Sequence, residues 1–119
     1  MVELNAAQWR SLADQAAQAT GADAVLDAAL AAAFGVAVAP FTGSVDEARA
    51  LAAAVLPGWR LHLGFDVTGV FPYARLSNNG IGVEAGASAL PLAVVRAVLQ
   101  AARPPDHPAT PAPSAPPAA

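Results

Sequence analysis

Apolar and polar positions change period twice along this chain, and the changes predict its elements. Trp9, Leu12, Ala13, Ala16 and Ala17 are spaced as one face of a helix, with Gln8, Arg10, Asp14, Gln15 and Gln18 largely on the other side. Asn5 stands where an N-cap belongs. Thr20-Gly21 breaks the pattern. Thr20 then reads as the cap of a second helix, with Asp23 in its acidic first turn. Leu26, Ala29, Leu30, Ala33 and Phe34 repeat the same spacing up to Gly35. Val36 to Pro40 is a short apolar link. Ser44 and Glu47 form a capping box for a third helix, and Asp46 adds negative charge at its positive end. Val45, Ala48, Ala52, Val55 and Leu56 make the buried stripe of that helix, widened by Leu51, and Pro57-Gly58 stops it.

From Trp59 the period drops to two. Trp59, Leu61, Leu63 and Phe65 alternate with Arg60, His62, Gly64 and Asp66, the pattern of a half-buried strand. Asp66 to Gly69 predicts a turn, and Val70 to Leu76 a second strand with Phe71, Tyr73 and Arg75 on one face. Pro72 argues that this strand is an edge or is bulged. Ser77-Asn78-Asn79-Gly80 is a turn signal, and Ile81, Val83 and Ala85 predict a short third strand. The helical period returns at Leu92, Val95, Val98, Leu99 and Ala102, with Ser88 as the expected cap and Pro91 in the first turn. Arg96 and Arg103 are assigned to a solvent face and a helix C-terminus.

These elements predict one small layered α+β domain over residues 1–103: helices packed on a three-stranded antiparallel sheet, with an N-terminal helical pair. Residues 104–119 are rich in proline and alanine and are expected to be a disordered tail.

Composition sharpens this picture more by exclusion than by assignment. Alanine exceeds a quarter of the 119 residues, so a hydrophobic fraction of 55% overstates the number of large apolar side chains. The net charge is −3, lysine is absent, and the six arginines are spread singly. No basic patch of the kind that follows a phosphate backbone is present, so nucleic acid is disfavoured as a partner. With no cysteine, disulfide and thiolate chemistry are excluded. The N-terminus has no basic and apolar leader pattern, which together with the missing cysteine points to a cytoplasmic protein. The most membrane-like run, residues 28–41, is short, alanine-rich and broken by Gly35 and Pro40, so no membrane association is expected.

No constellation in the chain carries catalysis. His62 with Asp66 offers two metal ligands where a zinc site needs three or four, and His107 lies in the tail. Asp23 and Asp27 share a helix face and read as solvated. Ser44 has no histidine nearby and no nucleophile elbow, and capping accounts for it. Gly80 to Gly86 does not match a phosphate loop. No catalytic residue, cofactor or metal is therefore assigned. The candidate interaction surface is Arg60, His62, Phe71, Tyr73, Arg75, Asn78 and Asn79. Alternating aromatic and arginine side chains on a strand suit a protein interface, or the stacking of single-stranded bases. Packing beneath a helix is the structural alternative for the same residues.

Three stretches also carry a resemblance. Residues 12–30, with a short helix, a Thr-Gly break and a Leu-Asp-Ala-Ala helix, resemble a common opening of small phage proteins. Pro40-Phe-Thr-Gly-Ser-Val-Asp-Glu-Ala is similar to their aromatic-Thr-x-Ser-aliphatic-Asp helix start, and Gly58-Trp59 follows at the usual remove. Residues 90–101 resemble their closing helix. Together these span residues 10–103 and resemble the phage and prophage "ABA sandwich" group, named for helices on both faces of a sheet. Gly43, Glu47 and the long tail depart from that pattern. The resemblance implies no catalytic residues. It leads us to expect an accessory protein of phage or prophage type acting non-enzymatically, through an unidentified protein partner or by self-association. Weak single-strand nucleic-acid binding through Phe71, Tyr73 and Arg75 is the second expectation, and a small hydrolase the third.

Overall fold

The computed structural model describes residues 4–104. Helices α1 (Ala6–Gln18), α2 (Ala24–Phe34) and α3 (Val45–Val55) lead into strands β1 (Arg60–Phe65), β2 (Pro72–Asn78) and β3 (Ile81–Gly86), and α4 (Leu90–Ala101) closes the order. The sheet is an antiparallel meander in the order β1-β2-β3. The α+β class and its three-stranded antiparallel sheet are thus as the periodicity predicts. All but the first residue of the predicted tail lies outside the described residues; Pro104 is buried.

The last helix organises the rest. Every side chain from Leu92 to Val95, and from Ala97 to Leu99, is buried. A helix that is apolar all round needs partners all round. On one side α4 packs against β2 and β3; on the other it packs against α3 and α1, and α1 in turn holds α2. Leu26, Leu30, Leu51, Leu76, Leu92, Val94, Val95 and Val98 are the largest wholly buried apolar side chains. Truncating one of the leucines to alanine costs about 2–5 kcal/mol in such a core.

Arg96 is the exception on α4, and it is not on a solvent face as its charge implied. Its Nε donates to the Ala16 carbonyl at 2.9 Å, and its Nη atoms donate to Ala17, Ala19 and Gly86. One guanidinium therefore satisfies carbonyls at the C-terminus of α1, where no intrahelical donor exists, and ties them to the end of β3. Trp9 is fixed to the other end of α4, its indole N–H donating to the Leu99 carbonyl at 2.6 Å. The Arg103 guanidinium lies 5.1 Å from the Trp9 ring centroid.

Several caps differ from expectation. Asn5 caps α1 as predicted, in a full capping box with Gln8. Asp23, not Thr20, caps α2: its side chain accepts from the Leu26 N–H at 3.0 Å. Ser44 accepts from the Glu47 N–H at 3.3 Å, but the reciprocal bond of a capping box is not made. Ala89 occupies the N-cap of α4 without a side-chain bond, because the Ser88 hydroxyl donates instead to the Thr20 carbonyl at 2.7 Å.

Asp27 is a further correction. It is buried, not solvated. Its Oδ1 accepts from the Thr42 amide at 2.9 Å and from the Thr42 hydroxyl at 2.8 Å. The same hydroxyl oxygen accepts from the Asp23 amide at 2.8 Å. A carboxylate leaves water at small cost only when its oxygens keep donors. Thr42 supplies them, and in doing so pins the loop before α3 to the start of α2.

Pro72 also takes another position than expected. It opens β2, which is the central strand, and no bulge interrupts the pairing on either side. It is accepted there because it is the first residue, where its carbonyl still receives the Ala87 amide at 3.3 Å. The β2–β3 turn is built as its sequence demands: Asn79 (φ 52) and Gly80 (φ 83) both adopt the left-handed backbone of a two-residue hairpin.

Candidate interaction surface

The sheet has two unlike faces. Alternation places Leu61, Leu63, Pro72, Ala74, Leu76, Val83 and Ala85 toward the helices. The opposite face carries Arg60, His62 and Gly64 from β1, Tyr73, Arg75 and Ser77 from β2, and Gly82, Glu84 and Gly86 from β3. None of these nine residues is buried. No described helix covers this face. The packing of Tyr73 and Arg75 beneath a helix is therefore excluded among the described residues.

Register fixes which side chains meet on the open face. His62, Arg75 and Glu84 stand in one row across the three strands. Gly64, Tyr73 and Gly86 form the next row, and Arg60, Ser77 and Gly82 the last. Of the two large side chains of the central strand, Tyr73 leans over a glycine. A Cβ placed on Gly64 would lie 2.8 Å from the Tyr73 hydroxyl oxygen, so the ring rests on bare backbone there. Arg75 passes near Gly82 more loosely, its Nε 4.0 Å from a Cβ at that position, an ordinary contact. His62 packs at the edge of the Tyr73 ring, with centroids 6.1 Å apart and planes 36° apart. The result is a shallow platform: an aromatic ring, two guanidinium groups and an imidazole, with one carboxylate at its β3 border.

The sequence-predicted residues fall into three places. Arg60, His62, Tyr73 and Arg75 are brought together on the platform. Asn78 and Asn79 sit at one end of the sheet, where they line a polar cleft with Gly58, Arg60, Ser77 and Gly80. Phe71 is exposed and lies one pair beyond the strand, where its carbonyl accepts from the Asp66 amide at 2.9 Å. It precedes β2 and belongs to the β1–β2 hairpin tip.

That tip was missed by reading the sequence as a simple turn. Phe65, Val67, Val70 and Phe71 are all exposed there, Val67 completely. The tip is nonetheless ordered by its one acid. Asp66 Oδ1 accepts from the Thr68 hydroxyl at 2.6 Å, the Thr68 amide at 3.1 Å, the Val70 amide at 3.3 Å and the Phe71 amide at 3.4 Å. The Thr68 hydroxyl bond is the main cause that holds the Asp66 carboxyl below its ordinary value of 3.8, and the Val70, Phe71 and Thr68 amides act in the same direction. The available signal was compositional: four apolar residues flank an Asp-x-Thr turn that would otherwise be polar.

No group of three metal-ligating side chains is gathered among the described residues. Nor is any described helix long and apolar enough to cross a membrane.

What the fold and surface define is a small α+β domain with its helices on one side of a three-stranded sheet and a polar-aromatic platform on the other. The chain matches no protein-family model, no curated protein and no solved structure.

Proposed function

We propose that the protein is a non-enzymatic binding module that seats another protein on the open face of its sheet. Tyr73 and Arg75 form the centre of the contact, with Arg60 and His62 beside them. One observation carries this reading: the central strand presents an aromatic ring, laid over Gly64, and a guanidinium side by side on a face no described helix covers. Tyrosine offers large contact area with few mobile bonds, and both tyrosine and arginine are enriched at the energetic centres of interfaces. The exposed apolar tip, Val67 to Phe71, extends the same sheet and would add buried area at one rim. The resemblance to phage and prophage proteins supports an accessory role of that kind in the bacterial cytoplasm.

The test compares immobilised full-length protein with its Tyr73→Ala/Arg75→Ala variant in lysate from phage-infected or prophage-induced cells. A protein retained by the wild type and lost by the equally folded variant is the expected result. Equal retention by both refutes the platform as the contact. Retention of a single-stranded oligonucleotide at low salt, lost in the variant, replaces the protein with nucleic acid as the ligand. The flat, aromatic-and-arginine face is what keeps that second reading in view, against Glu84 and the net charge of −3.

A further inference from the structure

Both outer strands of the sheet have a free side, but the two sides are unlike. The Asp66 amide donates to the Phe71 carbonyl at 2.9 Å, which sets the alternation of the β1–β2 ladder. Arg60, His62 and Gly64 therefore bond to β2, and the amides and carbonyls of Leu61, Leu63 and Phe65 point away from the sheet. On β3 the outward groups belong to Gly82, Glu84 and Gly86, and Arg96 already occupies the Gly86 carbonyl at 2.9 Å. The β1 edge carries no such cap among the described residues. It has no proline and no bulge, and Arg60 is the one charged side chain within the strand.

The underside of β1 is unfinished as well. Helix α4 packs on β2 and β3 and leaves β1 at the margin. Leu61 and Leu63 are consequently only half-buried, and Phe65 is 55% exposed.

We infer that two copies of this chain join along their β1 edges, antiparallel across a two-fold axis at Leu63, to make one continuous sheet. The inference rests on the sheet being the working part of the molecule, but not on Tyr73 or Arg75. An antiparallel strand paired with itself about Leu63 sets Leu61 opposite the second copy's Phe65, His62 opposite its Gly64, and Arg60 opposite its Asp66. Leu61, Leu63 and Phe65 become the hydrogen-bonded positions, which is what their outward amides and carbonyls require. The apolar side chains all fall on the helix side of the joined sheet, so Phe65 is covered by Leu61 of the other copy.

Charge selects this register. Arg60 is exposed, and every bond that the Asp66 side chain accepts falls on Oδ1, leaving Oδ2 for a guanidinium. Each dimer gains two such Arg–Asp pairs. Centring the axis on His62 instead sets imidazole against imidazole and Arg60 against a glycine. Centring it on Gly64 sets Arg60 against Thr68 and His62 against Asp66, and runs Leu61 onto Val67 in the hairpin turn. Among the three, the Leu63 axis alone pairs the Arg60 guanidinium with Asp66 and matches the outward positions of β1 to one another.

Sedimentation velocity of the full chain, across the micromolar range up to about 1 mM, tests this directly. The wild type is expected to pass from monomer to dimer. Leu63→Pro is expected to remain monomeric with an unchanged far-ultraviolet dichroism spectrum, because the lost amide faces away from β2 and breaks no bond within the chain. Arg60→Glu sets like charges opposite each other and is expected to weaken the dimer about tenfold. Tyr73→Ala/Arg75→Ala is expected to dimerise normally, which separates this inference from the platform reading. A wild type that stays monomeric throughout overturns it, as does a folded Leu63→Pro protein that still dimerises. Should Leu63→Pro fail to fold, Arg60→Glu decides, and an unchanged dimer affinity refutes the register.

Discussion

Thr42→Val separates a structural from an incidental role for the loop between α2 and α3. The substitution keeps the shape of the side chain and removes only its hydroxyl. In the folded protein that hydroxyl donates to Asp27 at 2.8 Å and accepts from the Asp23 amide at 2.8 Å, at a residue 1% exposed. A buried hydrogen bond to a charged group contributes about 1.5–3 kcal/mol, and a neutral one about 0.5–1.5 kcal/mol. The Thr42 amide still reaches Asp27 at 2.9 Å, so the carboxylate is not stripped of donors and the larger figures do not simply add. The expected loss is about 2–3 kcal/mol, a large share of the roughly 5–15 kcal/mol that a domain of this size holds. With a urea dependence of about 1.5 kcal/mol per molar, the midpoint falls by about 1.3–2 M. Fluorescence of Trp9, which is buried in the core, reports the transition. Thr42→Ser keeps the hydroxyl and loses a methyl group, at about 1 kcal/mol. A Thr42→Val midpoint within the error of wild type, or a Thr42→Ser protein weaker than Thr42→Val, would refute the reasoning.

Arg96→Met should lower stability by about 1.5–3 kcal/mol in a thermal or urea melt, since carbonyls of α1 and β3 lose a charged donor together. Hydrogen exchange should rise first near the end of α1. The Asp66 carboxyl is held below its ordinary value of 3.8 in the folded hairpin. The stability it contributes is thus fully present above that value and is lost as pH falls through the lower folded value. Amide exchange at Thr68, Val70 and Phe71 should accelerate over that acid range, and Asp66→Asn should show no such step. Gly80→Ala forces a side chain into a backbone with φ of 83° and should cost about 1 kcal/mol, seen as a lower melting temperature. A null result in any of these removes the contact named.

The sequence makes the order of elements legible because its two periods are clean: helical to Leu56, alternating from Trp59, helical again from Leu90. It is less informative wherever a polar group is held by something distant in the chain. Asp27 looks solvated because its neighbours on α2 give no sign of Thr42, which arrives from the next loop. Arg96 looks like a surface charge because the carbonyls it satisfies belong to α1, some eighty positions earlier. Pro72 misleads for another reason: position within a strand, not the residue type, decides whether a missing amide matters. The platform was legible as alternation. That it lies open was not, because coverage depends on which strands α4 spans.

The placement of α4 has a consequence for how the molecule is made. Its two sides complete both halves of the core, and Trp9 finds its carbonyl only at Leu99. Neither the sheet nor the helical layer can bury its apolar surface before this last element arrives. Closing so long a loop is entropically costly and slow. Folding is therefore expected to be all-or-none and late, and a chain ending before Leu90 should persist as a collapsed, exposed species for the cell to clear, not as a smaller stable domain.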